Sequence, residues 1–373
     1  MPLSAIPTPF VFIDLPRVRR NIDRMAAVAS SAGVRLRPHA KTHKSPIIAR
    51  WQIEAGACGI CCAKLGEAEV FAAAGIDDIR LPYPIHPSNA SRVLALLDRV
   101  RLSLIVDDLD VARGWSAAMT QARRTLDVLV KVDVGFHRCG VDPDSPRTLQ
   151  TIETIAGLPG LAFKGLLSHA GHSYTAGSAD EIAEIAAREV GILTSLAGEL
   201  RTAGVAVEET SVGSTPTARF VGSQAGVTEM RPGNYVFFDR TQVGLGAAAL
   251  EDCALGIIAT VVSRPAADRV IFDAGSKTLS TDAVRGFGTP VGYGLVFAAV
   301  TAPEPDPTIV IERLSEEHAT ARVSGACTLR PGDRVRIVPN HACVVTNLAD
   351  ELVGIDGGVV TRRLPVAARG RIW

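Results

Sequence analysis

Several things are missing from this chain, and each absence closes off a class of function. No apolar run approaches the ~18–20 residues needed to span a bilayer. Charge of one sign is missing too. Lys+Arg and Asp+Glu both number 39, so the net charge is zero, which argues against a general nucleic-acid binder or a polybasic membrane binder. The opening Met1-Pro2-Leu3-Ser4 lacks a basic stretch leading into an apolar one, so no secretory signal is expected and the chain reads as soluble and cytoplasmic. The seven cysteines, Cys58, Cys61, Cys62, Cys139, Cys253, Cys327 and Cys343, are odd in number and scattered. They do not form a disulfide framework. Cys58-Gly-Ile-Cys61-Cys62 has no second CxxC to complete a structural zinc site, so the run 58–63 reads as a short buried strand carrying small thiols. No GxGxxG follows the first strand, which weakens a dinucleotide-binding reading.

What is present suits a large packed enzyme. The chain has 373 residues, 47% of them hydrophobic and 21% charged, a composition wrong for disorder. That length fits one barrel of about 250 residues plus a smaller domain. Eight apolar runs read as strands: 34–37, 59–63, 78–82, 102–106, 128–133, 163–168, 207–211 and 227–231. Amphipathic stretches at 45–55, 65–74, 87–97, 108–122, 146–155 and 180–203 lie between them, with apolar residues at three- and four-residue spacing. Gly33, Gly56, Gly75 and Gly204 stand just past helical runs, where helix stops belong. The alternation predicts an α/β fold, a (β/α)8 TIM-type barrel over residues 20–245. After 246 the pattern becomes short β runs separated by turns such as Pro331-Gly332-Asp333. Residues 1–19 and 246–373 are therefore expected to make a second, mainly β domain.

Active sites of such barrels form where the strands end, and polar motifs follow the apolar runs at those points. They are Arg37–Lys44, Asp133–Gly140, Ser168–Tyr174, Ser211–Thr217 and Arg231–Tyr235. Gly213, Ser214 and Thr215 offer backbone N–H groups and hydroxyls in a turn, and Gly233, Asn234 and Tyr235 add donors at the next strand. This suits a phosphate. A lysine at a strand end in company with His39, His43 and Lys44, as Lys41 is, suits Schiff-base chemistry. Lysine, phosphate pocket and barrel together suggest pyridoxal 5'-phosphate (PLP), although a lysine-dependent sugar-phosphate aldolase would present the same features.

Further motifs carry a family resemblance. RPHAKTHK (37–44), the run 133–140, HAGHSY (169–174), SVGSTPT (211–217), EMRPGNYVFFD (229–239) and PNHAC (339–343) together resemble the D-threonine aldolase and D-serine dehydratase group of the alanine-racemase-like, fold type III PLP enzymes. The resemblance runs over essentially the whole chain. It implies that Lys41 carries the PLP and that the turns at Gly213–Thr215 and Gly233–Tyr235 hold its phosphate. It also implies that Arg138 lies near the phenolic oxygen and Tyr174 near the ring nitrogen. An imidazole and a thiolate two residues apart on a strand would share a face and make a two-point chelate. In the group this position binds a divalent metal, which implies His341 and Cys343 as ligands for zinc, with manganese or magnesium as alternatives. Aldolases of the group often carry His-x-Asp there and dehydratases His-x-Cys, so the chain matches the dehydratase form.

The expected activity is then a PLP- and metal-dependent lyase. It would convert D-serine or D-threo-3-hydroxyaspartate to a 2-oxo acid and ammonia. The alternative is D-threonine aldolase chemistry, with His169 or His172 as the base that takes the hydroxyl proton. Racemase chemistry would need a second base, for which Tyr293 is the one tyrosine after 246. A non-catalytic PLP carrier would lack the β domain. Small D-amino acids are the expected partners, with no nucleic acid and no membrane, and the resemblance implies a homodimer.

Overall fold

A computed structural model describes residues 2–288 and 290–373. Strand β1 (Phe10–Asp14) leads into helix α1 (Leu15–Ser31), and strands and helices then alternate. They are β2 (Arg35–Leu36), α2 (Pro46–Glu54), β3 (Ile60–Cys61), α3 (Leu65–Ala73), β4 (Asp78–Pro84), α4 (Ala90–Leu97), β5 (Arg101–Val106), α5 (Leu109–Ala122), β6 (Leu126–Lys131), α6 (Thr148–Ala156), β7 (Leu161–Leu167), α7 (Ala179–Thr202), β8 (Glu209–Val212), β9 (Glu229–Met230) and the short α8 (Arg240–Gly244). Strands β2 to β9 form one parallel sheet in the order β2-β9-β8-β7-β6-β5-β4-β3. The circle closes through a parallel bridge between His39 and Cys61. Cys58 N–H donates to Leu36 O at 2.9 Å and Cys61 N–H to Pro38 O at 2.8 Å across that seam. The (β/α)8 barrel expected from the alternation is present.

Its strands read as apolar runs because they are buried on both faces. Leu104, Val128, Val130 and Met230 are fully buried, and each such side chain contributes roughly 1.5–3 kcal/mol. The helices start where the sequence supplies an oxygen to cap them. Asp108 accepts from the N–H groups of Asp110 and Val111, and Ser178 from that of Glu181. Past α3 and α7 the chain turns through Gly75 and Gly204, at φ +83° and +85°, values that glycine adopts without strain. The sequence reading marks a helix stop at Gly33 but gives no bounds for the helix before it, which is α1. Its signals are Asp14, whose side chain accepts from Arg17 N–H, and Pro16 in the first turn, a combination that starts helices.

After α8 the chain builds β10 (Leu255–Ala266), β11 (Arg269–Phe272), α9 (Ser276–Leu279), β12 (Leu295–Phe297), β13 (Ile309–Leu314), β14 (Ala319–Val323), β15 (Arg334–Val338), α10 (Ala342–Leu348), β16 (Glu351–Asp356) and β17 (Val359–Pro365). These strands and β1 form the second sheet. Its main path is β13-β14-β11-β10-β1-β16-β17, and β15 joins β10 to β12. β1 runs antiparallel to β10, with Phe10 opposite Ile258, and parallel to β16, with Phe12 opposite Val353. Two main cores result, one inside and around the barrel and one under the second sheet. The second core also takes Val18 and Ile22 of α1 and Ile48 and Trp51 of α2. The two sheets are thus packed through shared helices, which fixes the barrel mouth against the segments around α9 and α10.

Candidate active site

A cavity of about 550 Å³ opens at the C-terminal ends of the barrel strands and is walled on its far side by the second sheet's loops. Lys41 lies in a one-turn 3-10 helix after β2, whose preceding residue His39 accepts from the Lys41 N–H at 3.4 Å. From β6 comes Lys131, 3% exposed. Burial and the neighbouring Arg231 bring its ammonium down to about 7. Arg138 lies over the Phe136 ring at 5.1 Å, and Phe136 meets His169 edge-on at 5.7 Å. His169 Nδ1 donates to Gly213 O at 2.7 Å, which leaves its other nitrogen as an acceptor. Burial, then Lys131 and Lys41, keep this imidazole neutral, well below its usual pKa.

The two glycine turns line the same wall. Ser214, Thr215 and Gly233 face the cavity, and their N–H groups meet no protein acceptor among the described residues. These are free donors of the kind a phosphate takes. The hydroxyls are engaged otherwise: Ser214 Oγ lies 3.0 Å from Ser173 Oγ and 2.9 Å from Thr217 Oγ1, while Thr215 Oγ1 accepts from Asn234 N–H at 3.1 Å. Gly213 sits at φ +154°, and a Cβ there would stand 2.7 Å from Arg231 N. Its replacement would therefore part the ends of β8 and β9 and disturb the fold as well as any anion held there.

On the opposite wall, His341 and Cys343 line the cavity together. They do not lie on a strand. β15 ends at Val338, since Pro339 has no N–H for the ladder; His341 then caps α10 and Cys343 sits in its first turn. They are neighbours where an extended N-cap residue runs into the first turn of a helix, rather than through a strand's period. His341 Nδ1 pairs with Asp282 Oδ2 at 2.6 Å. Cys343 Sγ lies 3.2 Å from Thr42 Oγ1, in the Lys41 turn. Burial opposes the imidazolium, yet the Cys343 thiolate and Asp282 outweigh it and push His341 up to about 10. Burial likewise opposes the thiolate, and His341 and Lys41 overcome it, holding Cys343 below its ordinary value. Among the described residues, no cluster of three or more His, Cys, Asp and Glu is placed to hold a metal. The fit is to an open site with two protein donors and a carboxylate behind the histidine, a pattern typical of zinc-bound imidazole.

Two expected site residues fall elsewhere. After β7 the chain makes a 3-10 turn at Gly171–Thr175 that puts Tyr174 on the cavity but leaves His172 outside its lining, beside Gly135. Burial raises the Tyr174 phenol well above its usual pKa. Tyr235 is fully buried in a core cluster, where its hydroxyl accepts from Gln52 Nε2 at 3.0 Å. Tyr293 packs against the second sheet's core and is not among the cavity residues either. The sequence reading misses several that are. Arg231 crosses the strand ends, donating to Ser168 O, to Val212 O at 3.1 Å and to Ser211 Oγ at 2.5 Å. Asp239, fully buried, accepts from Asn234 Nδ2 at 2.6 Å and from Ala342 N–H at 2.9 Å, tying the barrel to α10. Lys131 could have been found as a charge at the end of an apolar strand, and Arg231 and Asp239 lie in motifs quoted above without being given a role; Asp282 and Arg285 carry no local signal.

A barrel of this topology joined to a mainly β unit, with a lysine turn at its mouth, defines the alanine-racemase-like class. Residues 13–241 match the family "Alanine racemase, N-terminal domain" and residues 254–355 a "serine dehydratase domain", and the chain belongs to this family. It is 38% identical to D-threo-3-hydroxyaspartate dehydratase of Delftia sp. (strain HT23), over 96% of this chain and 97% of that one. The solved structure of that enzyme superposes with a TM-score of 0.91, covering 98% of each chain, and a cysteine-to-alanine variant of D-threo-3-hydroxyaspartate dehydratase has been solved in a metal-free form. Identity is 36% to D-threonine aldolase of Arthrobacter sp., over 99% of this chain and 94% of that one. The D-threonine aldolase structure from Filomicrobium marinum superposes at 0.88 and 32% identity, covering 100% and 98%.

Proposed function

We propose that this protein is a PLP- and divalent-metal-dependent lyase of the dehydratase type. It would turn a D-β-hydroxy-α-amino acid into a 2-oxo acid and ammonia. The observation that carries the reading is the meeting of Lys41 with His341 and Cys343 across one cavity, the thiolate being the donor that prefers a borderline-soft ion such as zinc. The D configuration and the substrate class come from the names of the relatives.

Bound PLP would supply the electron sink for breaking bonds at Cα. The metal on His341 and Cys343 would supply Lewis acidity at the β-hydroxyl. Lys41 Nζ would carry the cofactor and then take the Cα proton. The free N–H groups of Ser214, Thr215 and Gly233 would hold the phosphate. Arg138 and Tyr174 would flank the ring, and Asp282 would orient His341 through its Nδ1. His169, neutral and fixed by Gly213 O, presents an acceptor nitrogen that could instead take the hydroxyl proton, as aldol cleavage requires.

Product analysis separates the two outcomes. The holoenzyme is supplied with D-serine, D-threonine and D-threo-3-hydroxyaspartate in the presence of zinc or manganese. A 2-oxo acid with ammonia is expected, and glycine with an aldehyde would replace the dehydratase reading by the aldolase one. Chelation is expected to abolish turnover while the visible spectrum of bound PLP persists. Full turnover by a His341→Ala, Cys343→Ala double variant in metal-free buffer would end the metal assignment.

A further inference from the structure

The cavity is lined by five cationic side chains, Lys41, Lys131, Arg138, Arg231 and Arg285, and by only two carboxylates, Asp239 and Asp282. Both carboxylates are already occupied. Asp239 accepts from Asn234, Gln242 and Ala342, and Asp282 is paired with His341. The surplus of positive charge therefore calls for an occupant with several anionic groups. Four of the five cations lie on the barrel side. Lys41 is assigned to the cofactor, Lys131 ends β6 beside Arg231, Arg231 is committed to the strand ends, and Arg138 lies over Phe136.

Arg285 is different. It comes from the second unit, three residues beyond Asp282, and its guanidinium makes no hydrogen bond or ion pair among the described residues. The segment that carries it is firmly placed. Asn340 Nδ2 donates to Asp282 O at 3.1 Å, Arg285 N–H to Thr241 Oγ1 at 3.4 Å and Phe287 N–H to Gly244 O at 2.9 Å. A Cβ on Gly244 would stand 2.9 Å from Arg285 O, and one on Gly286 2.8 Å from Gly244 Cα, so two glycines let the backbones touch. The backbone that carries this exposed, unpaired guanidinium is thus fixed at the cavity wall before any ligand arrives, so binding has to order only the side chain.

We infer that Arg285 is a specificity-determining residue that binds a second carboxylate carried on the substrate's Cβ. The inference rests on the proposed function, in which His341 and Cys343 face the β-hydroxyl. The segment that braces His341 through Asp282 also carries Arg285, so whatever else is attached to Cβ meets this residue. D-Serine offers only hydrogen there and D-threonine a methyl group, neither of which a guanidinium can use. A carboxylate matches its fork with paired, charge-assisted hydrogen bonds. The preferred substrate is then a β-hydroxy amino dicarboxylic acid of the 3-hydroxyaspartate kind.

The test compares wild type, Arg285→Gln and Arg285→Lys as holoenzymes on D-threo-3-hydroxyaspartate and D-serine. Arg285→Gln is expected to lower the ratio of kcat/KM for the diacid to that for D-serine by about 10- to 100-fold, as loss of a hydrogen-bonded charge pair does. Lysine should restore part of the ratio, since it keeps the charge without the fork. An equal fall on both substrates would assign Arg285 to the α-carboxylate, and no fall on the diacid would remove it from binding; either result overturns the proposal. A binding measurement keeps the test independent of the reaction. The visible absorbance of the holoenzyme is titrated with D-aspartate and D-alanine, which lack the β-hydroxyl. Wild type should bind D-aspartate more tightly and Arg285→Gln should lose that preference. If no hydroxy amino acid is turned over, the lyase reading fails while this titration still decides Arg285: a preference unchanged in the variant overturns it.

Discussion

Asp78, Glu209 and Glu229 open β4, β8 and β9, and toward these N-terminal ends of the barrel strands reach Arg37 and Arg80, which are 4% and 2% exposed and fully matched. Arg37 contacts Glu229 at 2.8 Å and Asp78 at 2.5 Å, and Arg80 contacts Glu209 at 2.8 Å and also Glu229. Burial would raise the Glu229 carboxyl, but Arg80 and Arg37 hold it down at about 2. At the C-terminal ends, Lys41, Lys131 and Arg138 have no carboxylate within ion-pair distance among the described residues, and the cavity's carboxylates, Asp239 and Asp282, serve other groups. The same sheet therefore treats charge in two ways. One end closes its charges on each other and has nothing left to offer a ligand; the other leaves them open. This is the division expected when one face of a barrel stabilises and the other reacts.

Three substitutions break or sharpen that contrast. On the proposed function, Lys41→Ala should reduce turnover at least ~10⁴-fold, since the cofactor would lose its anchor and Cα its base. Its stability in urea should stay within about 0.5 kcal/mol of wild type, as for other exposed positions. A borohydride-trapped PLP adduct on Lys44 rather than Lys41 would overturn the assignment. Glu229→Gln should do the reverse. It leaves two buried guanidinium groups short of a partner and should cost about 3–5 kcal/mol of stability, with the kcat of the folded enzyme preserved. Loss of turnover at unchanged stability would erase the contrast.

The smallest effect is on acid sensitivity. His43 is fully buried, accepts from Ser45 N–H and lies 3.2 Å from Gln52 Oε1. Burial brings its pKa from 6.5 to about 4. The unfolded chain thus takes up this proton at a higher pH than the folded one, and stability falls as pH drops below about 6.5. From this group alone the loss should reach about 2 kcal/mol at pH 5. Urea unfolding at pH 8 and pH 5 should show a difference smaller by that amount in His43→Gln. An unchanged difference would mean that His43 is already protonated in the fold.

The barrel was legible because a strand buried on both faces must be apolar along its whole length, and that needs no partner to be read. Lys41, His169 and the glycine turns could be placed because they directly follow such strands. The failures share one cause, which is dependence on contacts distant in sequence. His341 and Cys343 were assigned to a strand, whereas Pro339 ends it and they meet where an extended N-cap residue joins a helix. His172 and Tyr235 sit in motifs that do reach the cavity, but a 3-10 turn and the Gln52 contact carry these two side chains away from it. Asp282 matters only because it meets His341, and nothing near it in the chain says so.

The place of β1 has a consequence in time. Its partners are β10 and β16, so Phe12 pairs with Val353 across nearly the whole chain. Synthesis at 5–20 residues per second separates those two residues by roughly 20–70 s. The barrel's strands can assemble on each other during that interval, while β1 leaves the ribosome first and waits with both edges bare. Such an edge invites wrong partners until β16 arrives. Newly made chains are accordingly most exposed to aggregation and to chaperone capture at this first strand, and that exposure ends only as the final hairpin emerges.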